Sequence, residues 1–332
     1  MDLTTHYMGL ELTHPIVASA SPLSKDIIGM QRLENAGAAA IVMYSLFEEQ
    51  IQQEATALEN LMTAGADSFA ESLSYFPDPD QYHSGTDQYL ELIHRARKQL
   101  HIPIIASLNG ISNTGWVDHA RLMQDAGAHA IELNVYYLPT DSSLSGQMME
   151  QRYIDTVRAV KSVVRIPVAL KISPYFSSVG HMAHQLDEAG ADALVLFNRF
   201  YQPDFDIDRL MLQTDLQLSE AHEIRLPLLW LAVLHGRLNA SLGATTGVQT
   251  AVEVVKYLLA GADVVMTTSS LLRNDPEHLG VLRDGLVEWM RDKQYESVSE
   301  MRGAMSQQRV ANPELLDRAN YIRTISGYDG NT

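Results

Sequence analysis

The α/β fold that this sequence predicts is a (β/α)8 TIM barrel, and three observations predict it. Eight short apolar runs alternate with stretches of helical periodicity. Gly-Ala pairs recur at Gly37-Ala38, Gly127-Ala128, Gly190-Ala191 and Gly261-Ala262, each where a helical pattern stops. The last two runs, Ala240 to Ala244 and Asp263 to Thr267, both end in small hydroxylated residues. Barrel enzymes often hold a phosphate after strands seven and eight. A doubly wound parallel sheet is the alternative arrangement of the same elements.

The first strand is Pro15 to Ala20, closed by Ser21-Pro22, and a helix over Ile27 to Ala36 stops at Gly37. Ala39 to Tyr44 is the second strand. Asn60 to Thr86 breaks the rhythm with Gly65, Pro77, Pro79 and Gly85, and a loop that long is a lid, an active-site wall or a surface excursion. A helix over Asp87 to Leu100 then precedes the strand Pro103 to Leu108, which ends in Asn109-Gly110. Trp116 to Ala126 is a helix and His129 to Val135 a strand; Met148 to Val164 is a helix and Pro167 to Ser173 a strand. Val179 to Ala189 is a helix, and the strand Asp192 to Phe197 ends in Asn198. Residues 199–226 form a second irregular insert, and Leu228 to Leu238 reads as helical. Strand seven ends in Thr245-Thr246-Gly247, and a helical face of Val248, Ala251, Val252, Val255, Leu258 and Leu259 follows. Strand eight is 263–267, ending in Thr267-Thr268-Ser269-Ser270. The expectation is a single domain over 1–332, with the barrel at about 15–272 and a polar helical extension over 280–325.

The 332 residues are 46% hydrophobic and 20% charged, enough apolar material for a full core. A formal net charge of −17 argues against a nucleic-acid or anionic-membrane partner, since both need a basic face. The chain has no cysteine, which removes disulfides, a thiol nucleophile and an iron–sulfur cluster on its own thiolates. The N-terminus lacks a signal-peptide pattern, and no apolar run approaches the roughly 20 residues of a membrane span. A cytoplasmic protein is the expectation.

In a barrel, chemistry sits at the C-terminal strand ends. Here those ends supply Ser19, Tyr44, Ser45, Asn109, Asn134, Lys171, Asn198, Thr246, Gly247, Thr268 and Ser269. No His–carboxylate cluster lies among them, so no metal is expected. Lys171 stands among Val168, Ala169, Leu170 and Ile172, where an unpaired ammonium is costly. It forms a Schiff base, holds a negative charge, or pairs with a carboxylate such as Glu132 on the neighbouring strand. Asn134 and Asn198 can each offer a donor and an acceptor to a heterocycle, or simply form turns. The two small-residue turns suit a phosphate dianion, because unpaired N–H groups and helix N-termini favour negative charge.

The order of ELN at 132–134, VALKISPYF at 168–176, a strand ending in Asn198, then ATTGV and TTSSLL resembles the dihydroorotate dehydrogenase family. The likeness is to its soluble class 1 branch and the dihydroorotate dehydrogenase-like FMN barrels, and it runs from Gly9-Leu10 to about Arg273. It implies FMN as cofactor, with Ala18, Ser19 and Ala20 along the flavin and Ser45, Asn109, Asn134 and Asn198 hydrogen-bonding around it. It puts Lys171 at the N1–C2 carbonyl edge of the ring, and Thr246, Gly247, Thr268 and Ser269 on the phosphate. Tyr44, Asn134 and Asn198 would face the substrate. The family's lysine at the end of the second strand is Tyr44 here, and its cysteine or serine base falls at or near Tyr137. A tyrosine with an ordinary pKa of about 10 is a poor base but a competent proton donor. The implied reaction is dihydroorotate to orotate, in pyrimidine biosynthesis, with a soluble electron acceptor or a partner subunit, in a cytoplasmic homodimer. Alternatives are an FMN enzyme for another dihydropyrimidine or an enoate, a phosphate-binding lyase using Lys171, and a flavin-binding protein that has lost catalysis.

Overall fold

The computed structural model describes residues 1–49, 85–110, 113–138, 140–199, 202–213 and 216–326. An antiparallel hairpin comes first, β1 (Thr5–Tyr7) and β2 (Leu10–Leu12). The barrel strands are β3 (Ile16–Ala18), β4 (Ile41–Phe47), β5 (Ile104–Asn109), β6 (Ala130–Asn134), β7 (Val168–Ile172) and β8 (Ala193–Leu196). A second hairpin, β9 (Asp204–Asp206) with β10 (Met211–Gln213), precedes the last barrel strands, β11 (Ser241–Ala244) and β12 (Val264–Thr267). The eight barrel strands are parallel and closed, with β8 on β11, β11 on β12 and β12 back on β3. The predicted (β/α)8 barrel is therefore the fold, and each predicted strand overlaps an observed one.

Period-two alternation sorts the strand residues into two cores. The outward set, including Ile41, Ile131, Leu133, Leu170, Leu194 and Val265, packs under the surrounding helices. The inward set is mostly small or β-branched: Val17, Ala39, Val42, Ile105, Ala130, Ala169, Ala193, Val195 and Val264. Tyr7, Met8 and Leu12 of the N-terminal hairpin fill the space those alanines leave. The Thr5 hydroxyl donates to the Asp263 carbonyl at 2.8 Å, and the Met8 N–H donates to Ser241 Oγ at 3.1 Å. The hairpin thus closes the N-terminal mouth, and strands of three residues were too short to be legible as a pattern.

Among the described residues the helices are α1 (Ile27–Asn35), α2 (Gly85–Gln99), α3 (Asn113–Asp125), α4 (Gly146–Lys161), α5 (Val179–Glu188), α6 (Arg225–Leu234), α7 (Ala251–Ala260), α8 (Ser269–Asn274), α9 (His278–Asp292), α10 (Val298–Met301) and α11 (Arg318–Ser326). The helix expected over 228–238 begins three residues earlier and ends at Leu234, where the chain turns through Gly236 at φ +76°. Val248 precedes α7 rather than joining it, because Thr250 and Glu253 form a capping box that starts the helix at Ala251. The insert expected to be irregular over 199–226 contains the β9–β10 hairpin. Most of the loop expected over 60–86 lies outside the described residues, and its last two residues open α2.

His14 ties the strand β3 entry to α1. Its Nδ1 accepts from the Ile16 N–H at 3.2 Å, so its Nε2 donates to the Gly37 carbonyl at 2.8 Å. Burial holds the ring neutral and lowers its pKa to about 4. A depressed histidine pKa contributes stability above the unfolded value of about 6.5 that is lost as pH falls toward the folded one. Chemical denaturation should therefore show roughly 3 kcal/mol lost through this group between about pH 6.5 and pH 4. His14→Gln should lose correspondingly less over the same interval; equal losses would assign the acid sensitivity elsewhere.

Candidate active site

A cleft of about 500 Å³ opens at the C-terminal ends of the strands. Of the predicted positions, Ser19, Ala20, Tyr44, Ser45, Asn134, Lys171, Asn198, Thr246, Gly247, Thr268 and Ser269 all line it. Inward alternation explains the middle of this set. Asn134 on β6 and Lys171 on β7 are register partners, so their side chains leave adjacent strands at one level. The Asn198 amide donates to the Asn134 side-chain oxygen, which leaves the Asn134 amide N–H and the Asn198 oxygen directed at a ligand. Ser45 and Ser107 share a hydroxyl hydrogen bond of 2.8 Å across β4 and β5.

The lining is cationic. It includes Lys25, Lys171 and Arg199 and, among the described residues, no Asp or Glu. Arg199 is tied to Glu223 at 3.0 Å, whereas Lys25 and Lys171 form no ion pair within 4.0 Å among the described residues. In a chain of net charge −17, a positive cleft focuses field lines onto an anion. Tyr44 packs edge-on against Tyr89 with ring centroids 5.0 Å apart, and burial raises its pKa, so it stays a neutral hydroxyl.

One end of the cleft is built from the two predicted turns. Thr246 has φ +80° and Gly247 φ +73°. A β-branched residue in that region is strained, and such strain collects at binding turns. Tyr257 of α7 braces the turn from below, donating to the Thr246 carbonyl at 2.8 Å. No Cβ fits at Gly247, since it would stand 2.7 Å from Ile224 Cγ2 and 2.9 Å from the Glu220 carbonyl. The Gly247 N–H donates to Ser219 Oγ at 3.1 Å, and that hydroxyl donates to Ser269 Oγ at 2.8 Å. An oxygen, the Ser219 hydroxyl, is thus held where the two turns converge. The α7 terminus adds little to this, because its capping box already uses the Thr250 and Glu253 side chains. The turn N–H groups and hydroxyls do that work.

Three predicted positions lie apart from the cleft. Ala18 belongs to the outward core, since alternation sends Val17 inward and leaves Ala18 under the helices. Asn109 ends β5 and is buried, outside the cleft-lining set. Tyr137 lines a separate cavity of about 200 Å³ with Gly110, Trp116, Met149 and Arg152, whose guanidinium stands 5.3 Å from the tyrosine ring centroid. The sequence reading missed Lys25, Phe47 and Ser219. Lys25 could have been found, because it closes the short turn Pro22–Ser24 that follows the first barrel strand. Ser219 could not, because it sits in the insert and reaches the turns only through the fold.

A sequence profile described as dihydroorotate dehydrogenase matches residues 82–290. The catalytic subunit of dihydroorotate dehydrogenase B (NAD(+)) from Endomicrobium trichonymphae is 22% identical over 329 residues, covering 93% of this chain and 99% of that protein. The protein of the same description from Methanothermobacter thermautotrophicus is 26% identical over 312 residues, covering 91% and 97%. A putative dihydroorotate dehydrogenase A (fumarate) from Aeropyrum pernix is 26% identical over 222 residues, covering 64% and 71%.

Proposed function

We infer the function of this chain from the family to which it belongs, the dihydroorotate dehydrogenase family. It is an oxidoreductase acting on CH–CH bonds, of the dihydroorotate dehydrogenase type. The cofactor is FMN and the substrate is dihydroorotate or a closely related anionic dihydropyrimidine. The observation that carries this reading is the cleft itself: cations without carboxylates, a paired Asn134 and Asn198, and an oxygen-binding corner at Gly247 and Ser269. When bound, FMN supplies the hydride acceptor.

The chain's own residues do the rest. Gly247, Thr246, Thr268 and Ser269 hold the phosphate, replacing the Ser219 hydroxyl as partner. Lys171 presents a fixed cation to the negative charge that develops in the cleft, in a site preorganised for it. Asn134 and Asn198 orient the heterocycles through the groups their mutual hydrogen bond leaves over. Lys25 supplies the cation for the substrate's carboxylate, in place of the family lysine that is Tyr44 here. The 2.8 Å bond from the Tyr44 N–H to Ser24 Oγ anchors the turn that carries Lys25 beside that tyrosine. Lys25→Met should raise KM about tenfold, the worth of one charge-assisted hydrogen bond, with FMN binding unchanged. An unchanged KM would remove Lys25 from substrate binding.

We propose Tyr137 for proton transfer on its place three residues after Asn134, a role that requires its ring to reach the cleft from the neighbouring cavity. Because it stands in the neighbouring cavity, Tyr137→Phe is the deciding variant. The expected result is at least a hundredfold slower reduction by substrate with FMN retained, the usual contribution of a positioned acid or base. Wild-type rates would exclude this tyrosine.

Among the described residues no helix is long and apolar enough to cross a membrane. We place the protein in the cytoplasm, passing electrons to a soluble acceptor or a partner subunit. We also propose a homodimer. On the β9–β10 hairpin, Phe205 pairs with Leu212, and Ile207 and Leu210 stand in the turn between the two strands. These four side chains are 65–89% exposed. Exposed large apolar side chains gathered on one short hairpin are the kind of surface that a second copy of the chain covers. Light scattering should give twice the mass of one chain, and Phe205→Asp with Leu212→Asp should halve it; a monomeric wild type would reject the dimer.

The reading is tested by adding dihydroorotate anaerobically to the FMN-loaded protein. Bleaching of the flavin band supports dihydroorotate. Bleaching only by another dihydropyrimidine or an enoate would move the substrate and keep the cofactor.

A further inference from the structure

Beneath the cleft, inside the barrel, lies a carboxylate that none of the roles above uses. Glu132 sits two residues before Asn134 on β6, so alternation directs it inward, one layer below the cleft floor. Its register partners are Ser107 on β5 and Ala169 on β7. The residue is 1% exposed, and neither carboxylate oxygen has a hydrogen-bond partner among the described residues. The donors around it are committed elsewhere. The Ser107 hydroxyl is shared with Ser45, and the Tyr89 hydroxyl donates to the Ser107 carbonyl at 3.1 Å. The Tyr7 hydroxyl, brought in by the N-terminal hairpin, is buried without a partner and feels the carboxylate's charge. A buried carboxyl lacking hydrogen bonds stays ionised only beside an opposite charge. Among the described residues, the cation acting on it is Lys171, two residues beyond Ala169 on the adjacent strand. Burial holds the Glu132 pKa above the ordinary carboxylate value, and the Lys171 ammonium opposes that rise.

We propose that Glu132 is a positioning residue, a buried counter-charge that holds the Lys171 side chain from below and moderates the positive field it projects into the cleft. The column runs Tyr7, Glu132, Lys171, cleft. The lower hydroxyl and carboxylate never meet substrate, and they act through the lysine. The consequence for the bound flavin rests on the FMN reading above; the coupling of Glu132 to Lys171 does not.

The first test uses the ligand-free protein. Lys171 is acylated with acetic anhydride at neutral pH and its labelling is read by mass spectrometry. Removing the opposite charge frees the Lys171 amine, so Glu132→Gln should label on the order of tenfold faster at Lys171, with other lysines unchanged. Equal labelling of Lys171 would overturn the proposal. Should Glu132→Gln fail to fold, the complementary measurement keeps Glu132 in place. An infrared difference spectrum of Lys171→Met against wild type should gain one protonated carboxyl band, because the carboxylate has lost its counter-ion. A spectrum without that band would overturn it. In the loaded protein, sulfite, an anionic probe of positive charge at the flavin, should bind on the order of tenfold more tightly to Glu132→Gln. The double variant with Lys171→Met should bind it as Lys171→Met alone does. If the labelling changes and no FMN binds, the flavin reading fails and the coupling stands.

Discussion

Lys171→Met should yield a folded barrel that binds FMN at least tenfold more weakly and is reduced by substrate about a hundredfold more slowly. The magnitude follows from what one preorganised group aimed at developing charge contributes, 10²–10³ in rate. The side chain projects from β7 at the level of Asn134 and has no ion pair within 4.0 Å among the described residues, so its charge is directed at whatever fills the cleft. Methionine keeps most of the stem, and the surrounding Ala169, Leu170 and Ile172 are fully buried already, so packing survives. The cost appears in Glu132, which loses the charge that favours its ionised form. Titration of the purified variant with FMN and anaerobic stopped-flow reduction measure the two effects separately. Wild-type affinity together with wild-type reduction would take Lys171 out of the site.

Gly247→Ala should be the most damaging conservative change in the phosphate corner. Two penalties add: a left-handed φ of +73°, and a Cβ placed 2.7 Å from Ile224 Cγ2 and 2.9 Å from the Glu220 carbonyl. The second contact is backbone and cannot swing away. Such a substitution costs about 1–3 kcal/mol of stability. It also moves the N–H that holds the converging oxygen, so FMN affinity should fall at least tenfold. Denaturant unfolding and FMN titration would show this; a variant with unchanged stability and affinity would mean the turn is not the phosphate site.

What the sequence made legible and what it concealed have a common cause. The barrel strands were readable because each is an apolar run buried on both faces, and the helix stops were readable because glycines at Gly37, Gly127, Gly190 and Gly261 all take positive φ. Lys171 was readable because a lysine in such a run contradicts its surroundings. The N-terminal hairpin was not, since three-residue strands carry no periodicity and their role depends on alanines more than 30 residues away. Ser219 was hidden for the same reason, as it meets Gly247 and Ser269 only after the insert folds back. Tyr137 shows the opposite limit. Its position after Asn134 is read from the sequence, but the direction of its side chain is set by Trp116, Met149 and Arg152 of the flanking helices. Alternation also separates Ala18 from its neighbour Ser19, a distinction that a run of small residues does not display.

The account depends on a flavin-binding cleft organised by Lys171. The most direct measurement is a fluorescence titration of ligand-free protein with FMN, run in parallel on wild type and Lys171→Met. The expected result is saturable quenching at one FMN per wild-type chain, weakened at least tenfold in the variant. Wild-type protein that leaves FMN fluorescence unchanged at a large excess, or binds it no better than the variant does, would contradict the account.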